Sequence, residues 1–138
     1  MDKQENKFSF EDRFRFGKNW RRFHSVLNED RINIAVKSIK DSLNVDDLNG
    51  SSFLDIGSGT GLFSLAAKRL GARVHSFDYD IDSVECTKLL KDRFYQNDDN
   101  WQIEQGSVLD KKYVKSLGQF DIVYSWGFYI IPEICGKH

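Results

Sequence analysis

The chain has 138 residues and a net charge of −1, with 40% hydrophobic and 30% charged residues. This balance is typical of a single globular domain and gives no overall signal for binding nucleic acid or an anionic membrane. Two cysteines, Cys86 and Cys135, are too few for a disulfide framework. No apolar run approaches the ~20 residues that span a bilayer, and the charged amino terminus lacks a signal-peptide core. We therefore expect a cytoplasmic protein.

Residues 1–50 predict an aromatic and helical segment. Aromatic and basic residues alternate in FSFEDRFRFGKNWRRFH, a mixture that also occurs in nucleic-acid-binding segments. Because the chain has no net positive charge, a helix packed on the sheet, or a lid over a ligand, is the preferred interpretation. Further on, EDRINIAVKSIKDSL places apolar residues at helical spacing, which predicts a helix over residues 29–43.

Strands and helices alternate after residue 50. The predicted strands are SFLDI, RVHSF, WQIEQ and FDIVYSW. The predicted helices are GLFSLAAKRL, DSVECTKLLKDRF with Asp82 as its N-cap, and LDKKYVKSL. This alternation predicts parallel β-α-β units, and so an α/β fold with a Rossmann-like, doubly wound parallel sheet. Ligands of such sheets bind beyond the carboxyl ends of the strands.

The glycine-rich loop FLDIGSGTG lies between the first of these strands and the helix that follows it. Gly57, Gly59 and Gly61 let the backbone approach a ligand, and the helix start offers N–H groups to an anion. A tight turn without a ligand is the alternative. Leu62 stands where a dinucleotide fingerprint requires glycine, which argues against a nicotinamide-dependent oxidoreductase. No Lys-Ser/Thr pair follows, so a P-loop is excluded.

The pattern Asp55-x-Gly57-x-Gly59-x-Gly61 resembles motif I of the class I S-adenosylmethionine-dependent methyltransferases. Further matches in the same order extend the resemblance over residues 52–127. The resemblance implies S-adenosyl-L-methionine as cofactor. It also implies a cofactor-binding role for nine residues, which are Asp55, Gly57, Gly59, Gly61, Asp78, Tyr79, Ser107, Val108 and Ser125.

Four of these residues follow the second and third strands. The resemblance implies that Asp78, at the end of the second strand, accepts the ribose hydroxyls, and we prefer it to Asp80 for this role. It places Tyr79 and Val108 against the adenine ring. Ser107 stands where the family commonly has an aspartate for the adenine amine, so that contact is weaker here or moves to the backbone.

The fourth strand resembles the family's motif IV region, which borders the methionine end of the cofactor and includes Ser125. The family's sheet has seven strands, of which this chain supplies four, in the order 3-2-1-4. We therefore expect an incomplete sheet whose exposed fourth strand invites self-association. Asp121 begins that strand and is predicted to be structural.

The resemblance divides the chain into an N-terminal segment (1–50), the cofactor-binding half of a methyltransferase domain (51–127) and an aberrant tail (128–138). The tail, FYIIPEICGKH, does not resemble the family. Its degenerate codons, when they are read one base out of phase, can encode VLHHTGNMWEAL, which resembles the family's continuation. We expect a frameshift after Gly127. A genuine, divergent C-terminus is the alternative.

The expected function is methyl transfer from S-adenosylmethionine to an unidentified acceptor, with a small molecule preferred to nucleic acid and no role at a membrane. Displacement at the sulfonium requires mainly positioning and the exclusion of water, so no catalytic residue or metal is assigned. His24 is a weak candidate for a base. The alternative is a non-catalytic remnant that binds the cofactor without turnover.

Overall fold

The computed structural model describes residues 21–125 of the chain. Most of the aromatic N-terminal stretch, in residues 1–20, lies outside the described residues. So do residues 126–138, and with them the tail on which the expected frameshift rests.

Helices and strands alternate along the described chain, as the sequence predicts. Residues 21–26 are helical (α1). The other elements are α2 (Glu29–Leu43), β1 (Ser52–Ile56), α3 (Leu62–Arg69), β2 (Arg73–Asp78), α4 (Ile81–Phe94), β3 (Trp101–Gln105), α5 (Lys111–Ser116) and β4 (Ile122–Ser125).

The strands form one parallel sheet in the order β3-β2-β1-β4. This confirms the predicted Rossmann-like α/β fold, its strand order and the helical segment before β1. Among residues 21–125, β4 pairs with β1 alone and so forms one edge of the sheet. The parallel arrangement brings the carboxyl ends of β1, β2, β3 and β4 to one side, where the glycine loop also lies.

The predicted N-cap of α4 is wrong by two residues. Asp80, not Asp82, caps this helix, because Asp80 has extended backbone and its carboxylate accepts the N–H of Asp82 at 3.2 Å. Asp82 lies within the first helical turn. Helix α5 is also shorter than the predicted LDKKYVKSL, since Asp110 caps it by accepting the N–H of Tyr113 at 3.1 Å.

Both faces of the sheet are covered. On one face Phe53, Val74 and Trp101 pack with apolar residues of α2 and α3. On the other face Leu54 and Ile56 pack with residues that include Phe77 of β2 and Val114 of α5. Burial of each large apolar side chain contributes ~1.5–3 kcal/mol, so these two layers are the main source of stability.

Polar contacts fix the helices and strand starts around this core. Arg69 of α3 binds Glu29 of α2 through two hydrogen bonds, of 2.8 and 3.1 Å. Asp121 accepts the Ser52 N–H at 2.9 Å and donates its own N–H to the Ser52 hydroxyl at 2.9 Å. This exchange joins the starts of β1 and β4, in agreement with the predicted structural role of Asp121. Across residues 21–125, no helix is long and apolar enough to cross a membrane.

Candidate functional site

The glycine loop between β1 and α3 requires glycine at three positions. Gly57, Gly59 and Gly61 have φ values of +75°, +58° and +88°, in the left-handed region that glycine favours. Within the described part of the chain, a Cβ at Gly57 or Gly59 would meet no atom within 4 Å. A Cβ at Gly61 would instead lie 2.9 Å from the Cγ2 of Thr87. The first two glycines therefore leave open space, whereas the third allows α4 to pack closely.

Neighbouring elements hold this loop in place. The N–H groups of Gly57 and Ser58 both donate to the carbonyl of Phe77, at 2.8 and 3.1 Å. The Thr87 hydroxyl of α4 lies 3.2 Å from the Gly59 carbonyl and 3.1 Å from the Ser58 hydroxyl, and its one proton is shared between the Gly59 carbonyl and the Ser83 carbonyl at 3.0 Å. Sequence reasoning missed Thr87, because nothing near it in the sequence points to a loop 26 residues earlier.

Asp78 connects the end of β2 to the glycine loop. One of its carboxylate oxygens accepts the Gly59 N–H at 2.9 Å, and the other accepts the Asp80 N–H at 2.9 Å. The Asp78 carbonyl also accepts the Gly106 N–H at 3.0 Å, which brings in the loop after β3. Of the two carboxylates weighed for the ribose, Asp78 therefore touches the loop while Asp80 caps α4. The ribose contact itself stays a prediction.

Asp55 lies behind the loop, between β1 and α3, with 2% of its surface exposed. It accepts the hydroxyl of Ser64 at 2.5 Å. The pKa of Asp55 is raised to about 7, because burial, aided by the negative charge of Asp78, outweighs the lowering effect of the Ser64 hydrogen bond. The Asp55 carboxyl is therefore expected to gain or lose its proton near neutral pH.

The remaining predicted residues follow the ends of three strands. Tyr79 is 63% exposed just after β2. Ser107 follows β3, and its hydroxyl accepts the Leu109 N–H at 3.1 Å. Val108 is partly buried in the apolar layer on the α5 side of the sheet. Ser125 lies beside Ile56 at the carboxyl end of β4. The predicted residues thus lie at or just after the carboxyl ends of the strands, along one edge of the sheet. Their contacts with the cofactor stay predictions.

His24, the weak base candidate, contacts α4 at Cys86, whose thiol lies 3.7 Å from the Thr60 carbonyl in the glycine loop. Its Nε2 is 3.3 Å from the carbonyl of Cys86, and its own carbonyl accepts a hydrogen bond from Arg93 at 2.8 Å. These contacts dock α1 on α4, and a role for His24 as a base stays a prediction. Among residues 21–125, no cluster of histidine, cysteine or acidic residues is suited to hold a metal ion.

The residues present fit a nucleoside cofactor. The open space over Gly57 and Gly59 accommodates a ligand against bare backbone. The Asp78 carboxylate lies at the carboxyl end of β2 beside this loop, and a carboxylate is an acceptor suited to hydroxyl donors. Together they form a cradle with an acidic side, which suits the ribose and the positive charge of S-adenosylmethionine.

The family model of ribosomal protein L11 methyltransferase (PrmA) matches residues 34–125. The chain belongs to this methyltransferase family. Its fold and motifs are accordingly those of a class I S-adenosylmethionine-dependent methyltransferase. The match begins within α2 and ends with β4, so it contains the whole glycine loop and the described sheet.

Curated relatives with the same description share this stretch. The ribosomal protein L11 methyltransferase of Macrococcus caseolyticus is 42% identical over 62 residues, which cover 44% of this chain and 19% of that protein. The protein of that name from Thermotoga maritima is 36% identical over 77 residues, covering 55% of this chain and 26% of the relative. The matches thus span about a fifth to a quarter of these relatives.

Solved methyltransferase structures share the fold. The Podospora anserina methyltransferase PaMTH1, with S-adenosylhomocysteine bound, superposes with a TM-score of 0.54 at 16% identity and covers 80% of this chain and 48% of its own. Magnesium protoporphyrin IX methyltransferase from Synechocystis, also with S-adenosylhomocysteine bound, gives a TM-score of 0.51 at 17% identity, covering 88% and 48%. The solved structures show the shared fold, and the family match confirms the predicted cofactor, S-adenosylmethionine.

Proposed function

We propose that residues 51–125 form the cofactor-binding half of an S-adenosylmethionine-dependent methyltransferase and that the predicted loop residues contact the cofactor. The observation that carries this proposal is the left-handed backbone at Gly57 and Gly59, where a Cβ would meet no atom of residues 21–125 within 4 Å. Such backbone disfavours every residue but glycine, and the space above it suits a ligand rather than a side chain. The N-terminal segment is residues 1–50, and its helix α2 packs against α3.

Calorimetric titration of the chain with S-adenosylmethionine, S-adenosylhomocysteine and NAD tests the proposal. We expect saturable binding of the first two and none of NAD. Gly59→Val should abolish saturable binding of S-adenosylmethionine, because its side chain would fill the space above the loop. Gly118→Val is a matched control, since Gly118 also has positive φ (+82°) and open space but lies beyond α5. Equal loss of binding in both variants would contradict the site.

We propose that the acceptor is a protein, and specifically a ribosomal protein. The support is the name of the family and of its relatives, which specifies ribosomal protein L11. These names give no support to the small-molecule acceptor expected from the sequence. A ribosomal acceptor also agrees with the expected cytoplasmic location.

Transfer of labelled methyl groups from S-adenosylmethionine to purified ribosomal proteins tests the acceptor. Label on L11 alone would support the proposal, and label on small molecules from an extract but on no protein would overturn it. Cofactor binding without transfer to any acceptor would instead favour the alternative, a non-catalytic cofactor-binding module.

A further inference from the structure

Asp55 is a buried carboxyl that has no cationic partner among residues 21–125. Only 2% of its surface is exposed, and within the described part of the chain no lysine, arginine or histidine forms an ion pair with it. In the sheet it lies between Ser76 of β2 and Tyr124 of β4. A buried carboxylate normally requires a counter-charge or several hydrogen bonds. Asp55 has one strong hydrogen bond, from Ser64.

That hydrogen bond ends a chain of polar groups across the core. The Trp101 indole N–H donates to the Ser76 hydroxyl at 3.0 Å, the Ser76 and Ser64 hydroxyls are 2.6 Å apart, and Ser64 donates to Asp55. Because indole is only a donor, Ser76 accepts from Trp101 and is free to donate to Ser64. The four groups lie on β3, β2, α3 and β1. The chain therefore directs its donors toward the carboxyl and favours its ionised form.

The charged neighbours of Asp55 act in the opposite direction. Asp78, from β2, disfavours a second negative charge at Asp55, and so does burial. Tyr124, from β4, has a pKa raised by burial and by Asp55, so it stays neutral at physiological pH. β1 contributes no other titratable side chain. With these influences opposed, the pKa of Asp55 lies about 7.

Helix α3 supplies no compensating cation to Asp55. Its two basic side chains, Lys68 and Arg69, lie in the last turn, away from the loop. Lys68 pairs with Asp98 at 2.8 Å and Arg69 with Glu29 at 2.8 Å. Because neither cation of α3 acts on Asp55, a positively charged ligand bound at the glycine loop would supply the charge that favours the ionised form of Asp55.

We propose that binding of S-adenosylmethionine is coupled to the loss of a proton from Asp55, and that Ser64, supported by Ser76 and Trp101, is the positioning residue that directs a donor at the resulting carboxylate. The inference rests on the proposed function, because the cation is the cofactor. On binding, the carboxyl O–H bond breaks, the proton passes to the buffer, and the carboxylate remains as counter-charge to the bound ligand.

The first test is calorimetric titration of the 138-residue chain with S-adenosylmethionine at pH 7, in phosphate and in Tris buffer. These buffers differ in ionisation enthalpy, so the difference in heat measures proton release. We expect about half a proton per site, and a Kd that rises about tenfold per pH unit below 7 and levels off above it. Equal heats in both buffers and a Kd independent of pH would overturn the inference.

Variants separate positioning from mere packing. Ser64→Ala should move the pH at which the Kd levels off upward by about one unit or more, because the ionised carboxyl loses its donor. Ser76→Ala should shift it less, in the same direction. Ser83→Ala is the matched control, since Ser83 is equally buried and donates to Asp80 instead. A shift with Ser83→Ala equal to that with Ser64→Ala would overturn the role of Ser64.

Failure of the inference and failure of the proposed function give different results. Absence of saturable binding at every pH from 6 to 9, from a folded chain, would refute the proposed function and with it the inference. Binding without proton release would refute the inference alone. Asp55→Asn, which removes the ionisable group but retains its shape, should bind more weakly than the native chain at pH 8, with a Kd independent of pH and no proton release. Continued release would show that another group supplies the proton.

Discussion

Substitution of Gly61 by alanine tests how closely α4 packs on the glycine loop. Gly61 has φ +88°, where an L-residue costs ~1–2 kcal/mol. Its new Cβ would also lie 2.9 Å from the Cγ2 and 3.2 Å from the Cα of Thr87. Because the Cα cannot move without shifting α4, overpacking adds ~1–3 kcal/mol. We expect Gly61→Ala to lower the free energy of unfolding by ~2–5 kcal/mol in total.

Two further variants separate strain from contact. Gly118→Ala, at φ +82° with no atom within 4 Å of its Cβ, should cost the strain alone, ~1–2 kcal/mol. Thr87→Ala in the Gly61→Ala background should recover part of the loss, because it removes the nearest atom but leaves the Thr87 Cα. Urea unfolding followed by far-UV circular dichroism measures each value. Equal losses for Gly61→Ala and Gly118→Ala, or no recovery with Thr87→Ala, would refute the packing argument.

Three other predictions concern stability, charge and association. Asp121→Ala should lower the free energy of unfolding by ~1–2 kcal/mol, measured by urea unfolding, because Ser52 loses its N–H acceptor; no loss relative to Asp46→Ala would contradict this. The raised pKa of Asp55 means that the folded chain binds more protons than the unfolded chain between pH 4 and 7. The contribution of the protonated Asp55 carboxyl to the free energy of unfolding is therefore complete below pH 4 and is lost as the pH rises through 7. The free energy of unfolding of Asp55→Asn, relative to that of the native chain, should accordingly rise by about 3–4 kcal/mol between pH 4 and pH 8. The edge position of β4 predicts self-association, which sedimentation velocity would show as a mass that rises with concentration.

The parts of the fold that the sequence predicted well depend on local patterns. Helix α2 matches its predicted bounds because apolar spacing, acidic residues at its start and Asn44 at its end agree. Strands β1 and β3 also match residue for residue. The order of the sheet followed from alternation together with the resemblance to a known family. In each case neighbouring residues carried the necessary information.

Features that depend on distant contacts escaped prediction. Asp80 and Asp82 are both suitable N-caps by residue type, and only the backbone at Asp80 decides between them. In the sequence Thr87 is an ordinary residue of a helix, and only the packing of α4 on the glycine loop shows its contact with Gly59. In the sequence Ser76 is a small residue of a strand, and only the pairing of β2 with β3 shows that it accepts a hydrogen bond from Trp101. Their roles are defined by pairs of elements that no local pattern joins.

The hydrogen bonds that the Asp78 carboxylate accepts from the N–H groups of Gly59 and Asp80 affect the energetics of ligand binding. One carboxylate joins the glycine loop at Gly59 to the start of α4 at Asp80. The conformational entropy lost in ordering the loop is therefore lost when the chain folds, not when a ligand arrives. Such preorganisation favours affinity without additional contacts, because the ligand meets a surface that is already shaped. A carboxylate that never touched a ligand would still strengthen its binding in this way.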